Sequence, residues 1–231
     1  MNKKLRKPSE IILKSGKTLQ EVLELHKMWL DNEEGGERAN LSFEDLSCVD
    51  LSYTDLSEAI FYKADLYHAN LNHANFYEAD LKDANLYGAD LYHAIFYKAD
   101  LYHANLNHAN FYEADLKDAN LYGADLYHAI FYKADLYHAN LNHVILTNAK
   151  FYLTNLYKAE GDFVSVSNIG SRNDTTHYFY KDNRVICGCF SGTMEEFEEK
   201  VRKSYGEDKK EYKQYMATIR ILKELAELKM E

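Results

Sequence analysis

The sequence predicts a mainly β chain, wound as a four-sided coil whose turns stack into a rod, and three observations predict it. Leu or Phe occupies every fifth position from Leu41 to Leu156 without a gap. Ala stands two positions before most of these, and Asp or Asn one before. The two positions that follow most of them are polar or Tyr. A period of five fits neither a helix, at about 3.6 residues per turn, nor a strand, at 2. Helical repeat units need roughly 20 to 50 residues. One side chain in five stays inward if the chain turns a corner at every pentad. Four pentads then close a square of twenty residues, and squares stack by backbone hydrogen bonds at about 4.8 Å.

Alternating units such as Ala64-Asp65-Leu66 and Ala69-Asn70-Leu71 resemble the pentapeptide-repeat proteins. The resemblance covers roughly half the chain. It implies a right-handed quadrilateral β-helix with Leu, Phe and the small Ala pointing inward. Twenty-four pentads at four per coil make about six coils, a rod roughly 29 Å long. Three parts are expected: 1–38, an N-terminal segment with a capping helix; 39–160, the β-helix; 161–231, a C-terminal α+β module.

Positions twenty apart should lie one above another. Leu46, Leu66, Leu86, Leu106, Leu126 and Leu146 then form one inner column. Phe111, Phe131 and Phe151 form a second, and Phe76 lies over Phe96 in a third. Ring-on-ring packing adds roughly 0.5–1.5 kcal/mol per pair beyond area. Ala fits because two inward positions share a narrow interior, where a larger residue would overpack by roughly 1–3 kcal/mol.

An open coil end exposes backbone groups, so terminal caps are expected. Residues 1–8 read as loose. From Thr18 the pattern turns helical: Thr18 and Glu21 form a capping box, and Leu19, Val22, Leu23, Leu25, His26, Trp29 and Leu30 make an apolar face. Residues 18–31 are read as the cap with Trp29 as its plug, a partner-docking helix being the alternative. Gly35-Gly36 ends the segment.

Residues 59–93 and 94–128 are identical, and 129–143 begins a third copy. Thirty-five residues are seven pentads, or 1.75 coils. The copies keep pentad register but change face, so His73 and its copy His108 should lie on different sides. Rod length, or a surface repeated on all sides, is then what the duplication preserves.

The outward positions carry Tyr, His, Lys, Asp and Glu. His73 should stack beside His93, and His108 beside His128. Two such imidazoles could share a soft metal ion, but solvated surface histidines are the preferred reading and no metal ligands are assigned. Tyr92, Tyr112, Tyr132 and Tyr152 fall in one outer column, read as stabilising neighbours in preference to a partner strip. The asparagines and aspartates before each Leu or Phe suit a backbone-bonding role at corners.

The formal net charge is −10, which argues against nonspecific nucleic-acid or anionic-membrane binding. No signal peptide or membrane span is read. Cys48, Cys187 and Cys189 do not form a disulfide framework, so a cytoplasmic location is expected. Protonating the ten histidines would take the charge from −10 to 0, so association should respond between pH 5 and 7.

Beyond Ala159 the pentads stop. "DFVSVSN" reads as a strand, and "HYFY", Lys181-Asp182-Asn183 and "RVICGCF" as a β-hairpin. Gly170-Ser171-Arg172-Asn173-Asp174-Thr175-Thr176 reads as a surface loop. Thr193 and Glu196 start a helix from about Met194 to Ser204, and a second runs from about Lys209 to Lys229. A hairpin and two helices have a thin core, so the module should dock on the rod's end or on a second copy. Dimerisation is favoured, through Tyr215, Ile219, Leu222 and Leu225. Cys187 and Cys189 read as small buried hydrophobes in preference to metal ligands with His177.

Catalysis needs a concave site with a positioned acid, base or nucleophile. A rod filled by its own side chains offers none, and no GxSxG, Walker or HExxH signature is present. No catalytic residues and no cofactor are expected. The function expected is non-catalytic: a rigid rod whose C-terminal module associates with itself or with a protein partner. The alternative comes from the resemblance, since some pentapeptide-repeat proteins mimic duplex DNA and bind type II topoisomerases such as gyrase. Residues 59–143 hold eleven acidic side chains against five lysines, a net of −6. A DNA mimic would carry a denser, less interrupted anionic face.

Overall fold

The computed structural model describes residues 4–169, 174–187 and 190–230. Parallel bridges join residues twenty apart, from Asn40↔Ile60 to Asn140↔Glu160. Most are single bridges; near the C-terminal end they lengthen into short strands, β1 (Ile130–Tyr132) with β3 (Lys150–Tyr152) and β2 (Asn140–Leu141) with β4 (Glu160–Gly161). The pentad around Leu66 shows the pattern. The Leu66 and His68 N–H groups donate forward to Asn85 O at 2.7 Å and Tyr87 O at 2.8 Å. The Asp65 N–H donates back to Glu44 O at 2.9 Å, and the Ala69 N–H closes the turn on Leu66 O at 2.9 Å.

Each corner is a type II turn, which requires a positive φ at its third residue. Every fifth residue from Phe43 to Lys158, twenty-four in all, has φ between 53° and 66°. Only Gly88 and Gly123 among them are glycine. The rest are His, Lys, Glu, Asp, Tyr, Phe, Cys, Leu and Asn, and none is β-branched. A branched Cβ suffers most in the left-handed region. The corner is then secured from the preceding side chain: Asp65 Oδ1 accepts the Tyr67 N–H at 3.0 Å, and the same bond recurs around the rod.

The inner columns are dry. Leu46, Leu66, Leu86, Leu106, Leu126 and Phe76, Phe96, Phe111 and Phe131 are fully buried, and Phe151 nearly so. Phe76 stacks on Phe96 with centroids 4.8 Å apart, Phe111 on Phe131 at 4.8 Å and Phe131 on Phe151 at 4.9 Å.

The N-terminal end is closed differently from the expectation. Residues 1–3 lie outside the described chain, but 4–8 are not loose, because Arg6 pairs with Val49. Its N–H donates to Cys48 O at 2.8 Å and its carbonyl accepts the Asp50 N–H at 2.9 Å, standing in for the coil that is missing there. Helix α1 (Leu19–Leu30) starts at the Thr18–Glu21 capping box. Its plug is not Trp29. Leu19 and His26 are fully buried, together with Ile11 and Leu13, while Trp29 is half-buried. The helix face turns His26 inward, where Nδ1 accepts the Ala39 N–H at 3.2 Å. Trp29 stacks outside it at 5.7 Å under the Arg38 guanidinium.

The C-terminal module holds a four-stranded antiparallel meander where a strand and one hairpin were expected. Its strands are β5 (Phe163–Ile169), β6 (Asp174–Phe179), β7 (Arg184–Cys187) and β8 (Phe190–Thr193), in that order. The run "RVICGCF" breaks into β7 and β8, which pair with each other. Residues 170–173 of the expected loop and Cys189 lie outside the described residues. Helices α2 (Met194–Ser204) and α3 (Lys210–Met230) complete the module. The sheet is a middle layer: Phe179 and Ile186 join the rod's core, while Val185 and Cys187 join a second core with Met194, Phe197, Val201, Tyr215, Ile219, Leu222 and Ala226.

Candidate functional site

The outer surface of the rod and the free face of the module are what this molecule presents. On the rod, the corner residues line up in columns. His73 and His93 stack with centroids 4.9 Å apart and planes at 14°, with Tyr53 stacked on His73 at 4.7 Å. His108 and His128 repeat the pair at 4.9 Å and 5°. Parallel rings point their nitrogen lone pairs along parallel lines, so they do not converge on one ion, and no cluster of three metal-ligating side chains occurs among the described residues. In line with the 35-residue duplication, the two pairs stand in different columns. Tyr67–Tyr87, Tyr92–Tyr112 and Tyr102–Tyr122 each stack at 5.4 Å. The side chain of Tyr152 lies outside the described residues.

Most acidic groups in the rod's columns are partnered. Where Asn follows Asp in a column, the amide donates to the carboxylate below: Asn85 Nδ2 to Asp65 Oδ1 at 2.8 Å, Asn110 Nδ2 to Asp90 Oδ1 at 3.1 Å. Where Asp stacks on Asp, a cation covers the pair. Lys82 Nζ lies 3.6 Å from Asp80 and 3.0 Å from Asp100. Its copy Lys117 lies 3.0 Å from Asp115 and 3.5 Å from Asp135. Arg6 sits 3.3 Å from Asp45, below Asp65. Hydrogen bonds to these carboxylates raise the pKa of Lys82 and Lys117. At the corners, Lys98 reaches Glu78 at 3.1 Å, and Glu113 lies between Lys133 at 2.6 Å and His93 at 2.9 Å. The Lys133 hydrogen bond holds Glu113 below the usual carboxylate range.

The last coil is covered by side chains of the module. Ala149 O accepts the Arg184 guanidinium at 2.5 Å, and the Asp162 carboxylate accepts the His143 N–H at 3.2 Å. On the rod-facing side of the sheet His177 meets Ser165 Oγ through Nδ1 at 2.7 Å, and burial lowers its pKa to about 4. Thr176, pointing the other way, donates to Cys187 Sγ at 3.0 Å. His177 and Cys187 are therefore on opposite faces and do not form a ligand pair.

The expected self-association residues are mostly consumed within the chain. Tyr215, Ile219 and Leu222 are buried in the module's own core, and Leu225 alone of the four stays exposed, at 38 %. Helix α3 has a second apolar stripe beside the buried one: Ile221 at 43 %, Leu225 at 38 %, and Leu228 at 69 % exposed. No helix among the described residues is long and apolar enough to cross a membrane.

A family model described as pentapeptide repeats matches residues 59–96, 94–131 and 129–160. No curated protein matches the chain. Among solved structures, the chain is similar to a pentapeptide repeat protein of Nostoc PCC 7120, at 38% identity over 37% of this chain and 74% of that one, with a TM-score of 0.35. It is similar to a pentapeptide repeat protein of the Arabidopsis thaliana thylakoid lumen, at 35% identity over 38% and 65%, TM-score 0.26. It is also similar to QnrB1, a plasmid-mediated fluoroquinolone resistance protein, at 19% identity over 53% and 72%, TM-score 0.40. The chain belongs to the pentapeptide-repeat family, whose fold is of the right-handed β-helix type.

Proposed function

We propose that the protein is a non-catalytic structural and interaction protein, a rigid rod of about six coils that holds its two ends at a fixed separation, with the C-terminal module as the self-association or partner-binding part. The observation that carries this is the filled interior. From Leu41 to Leu156 every inward Leu or Phe is buried to 3 % exposure or less, which leaves the rod no internal cleft and makes bending costly. The duplication lengthens such a rod without altering its section. Deleting residues 94–128 tests the reading. The shortened protein should fold, lose about 8 Å of length, and carry its module turned by about a quarter turn relative to α1. Small-angle scattering and spin-label distances between the ends read both changes. A deletion variant that fails to fold, or keeps its length, contradicts the reading.

The second reading, a DNA-mimicking regulator of a type II topoisomerase, is favoured by the net charge of −10. Against it, the stacked Asp pairs carry Lys82, Lys117 and Arg6, so the anionic columns are interrupted where they would be densest. Inhibition of gyrase supercoiling at micromolar protein would reverse this ranking.

A further inference from the structure

We propose that the free stripe of α3 is the self-association surface, and that it pairs with the same stripe of a second copy running antiparallel. This rests on the self-association reading above and specifies its geometry. Ile221, Leu225 and Leu228 stand at i, i+4 and i+7, one face of a helix, and they are exposed while the adjoining face is buried against β5 and α2. Ala217, also exposed, continues the stripe one turn earlier.

The flank of the stripe says what covers it. At 3.6 residues per turn, Lys213, Arg220, Glu224 and Glu227 lie along one side, basic in the N-terminal half and acidic in the C-terminal half. Arg220, Glu224 and Glu227 make no ion pair among the described residues. A parallel copy would place this flank beside the other flank of its partner, so these charges would not meet. An antiparallel copy sets Arg220 against Glu224 and Glu227 of its partner. The register that does this also brings Ile221 onto Leu225, and the small Ala217 onto the large Leu228, so charge and shape agree on one alignment. The arrangement is two-fold and self-complementary, as a closed dimer requires.

The full-length chain should sediment at equilibrium as a dimer, twice its 26.9 kDa. Leu225→Glu with Leu228→Glu should halve the mass while circular dichroism and melting of the rod stay unchanged. Arg220→Glu should weaken the dimer at least tenfold, and Arg220→Glu combined with Glu224→Arg and Glu227→Arg should restore it, since both copies change together. For orientation, Ala217→Cys protein mixed with Leu228→Cys protein should form the mixed disulfide, and neither alone should cross-link to itself at that position. A monomeric wild-type chain, including one that binds only a different protein, overturns both the inference and the self-association reading. A dimer indifferent to the Glu substitutions, or one cross-linking 217 to 217, overturns the inference and leaves that reading standing.

Discussion

Phe179, from the C-terminal sheet, stacks on Phe151 at 6.4 Å with planes 16° apart, so the rod's phenyl column does not end with the rod. Phe179 is 2 % exposed and also meets Phe163 at 4.6 Å. The module is therefore joined through a shared core. Phe179→Ala should cost about 3–5 kcal/mol, the range for a buried Phe. Hydrogen exchange should report the loss in β5 to β7 and at the last coil, with the coils around Leu66 unaffected.

The corner residues are tolerant of type but not of shape. His108 has φ 58° and an exposed side chain. His108→Val should destabilise by roughly 1–2 kcal/mol, the cost of forcing a left-handed conformation, and His108→Asn should be nearly neutral. Urea denaturation of the two variants distinguishes the backbone effect from loss of the His128 stack, which both remove.

The lysines over stacked carboxylates act as clamps. Lys82→Met leaves Asp80 and Asp100 facing each other, each still needed to accept a backbone N–H. The expected loss is about 0.5–1 kcal/mol, as for an exposed pair, and shrinks with salt. Asp100→Asn in the Lys82→Met background should recover most of it, because Asn then donates to the carboxylate below as Asn85 does to Asp65. A double-mutant cycle at two ionic strengths measures this.

His177 gives the module a pH dependence. Its folded pKa of about 4 lies below the unfolded value near 6.5, so on acidification the unfolded chain takes the proton first. Stability is full above about pH 6.5 and falls between 6.5 and 4, by at most about 3 kcal/mol. Burial lowers the pKa of His26 in the N-terminal cap in the same sense. Asp182, raised by burial, opposes the trend weakly. Hydrogen exchange of β6 across this range should show the loss, and His177→Phe should flatten it.

Spacing made the rod legible. The pentad register places Leu66 over Leu86 and His73 beside His93 with no further information, because a strict period leaves one way to stack. The left-handed corners were hidden, since Lys, His and Glu occupy them with little Gly or Asn to signal a positive φ; only the absence of Val, Ile and Thr there marks them. Size misled at Trp29, where the helix face, which buries His26, decides the plug. In α3 two apolar stripes share one helix. Periodicity groups Leu225 with Tyr215, Ile219 and Leu222, and cannot say that Ile219 and Leu222 are buried in the module's core while Leu225 stays outside beside Ile221 and Leu228. Arg6 showed no signal because a lone stand-in strand has no pattern of its own.

The central claim is that residues twenty apart occupy adjacent layers. His73→Cys with His93→Cys tests it most directly, since neighbouring parallel layers put the two Cα atoms about 4.8 Å apart, within the disulfide range. Mild oxidation should close this pair within one chain, while His73→Cys with Lys98→Cys, a corner further round, should stay open. Closure of the second pair and not the first would contradict the twenty-residue coil.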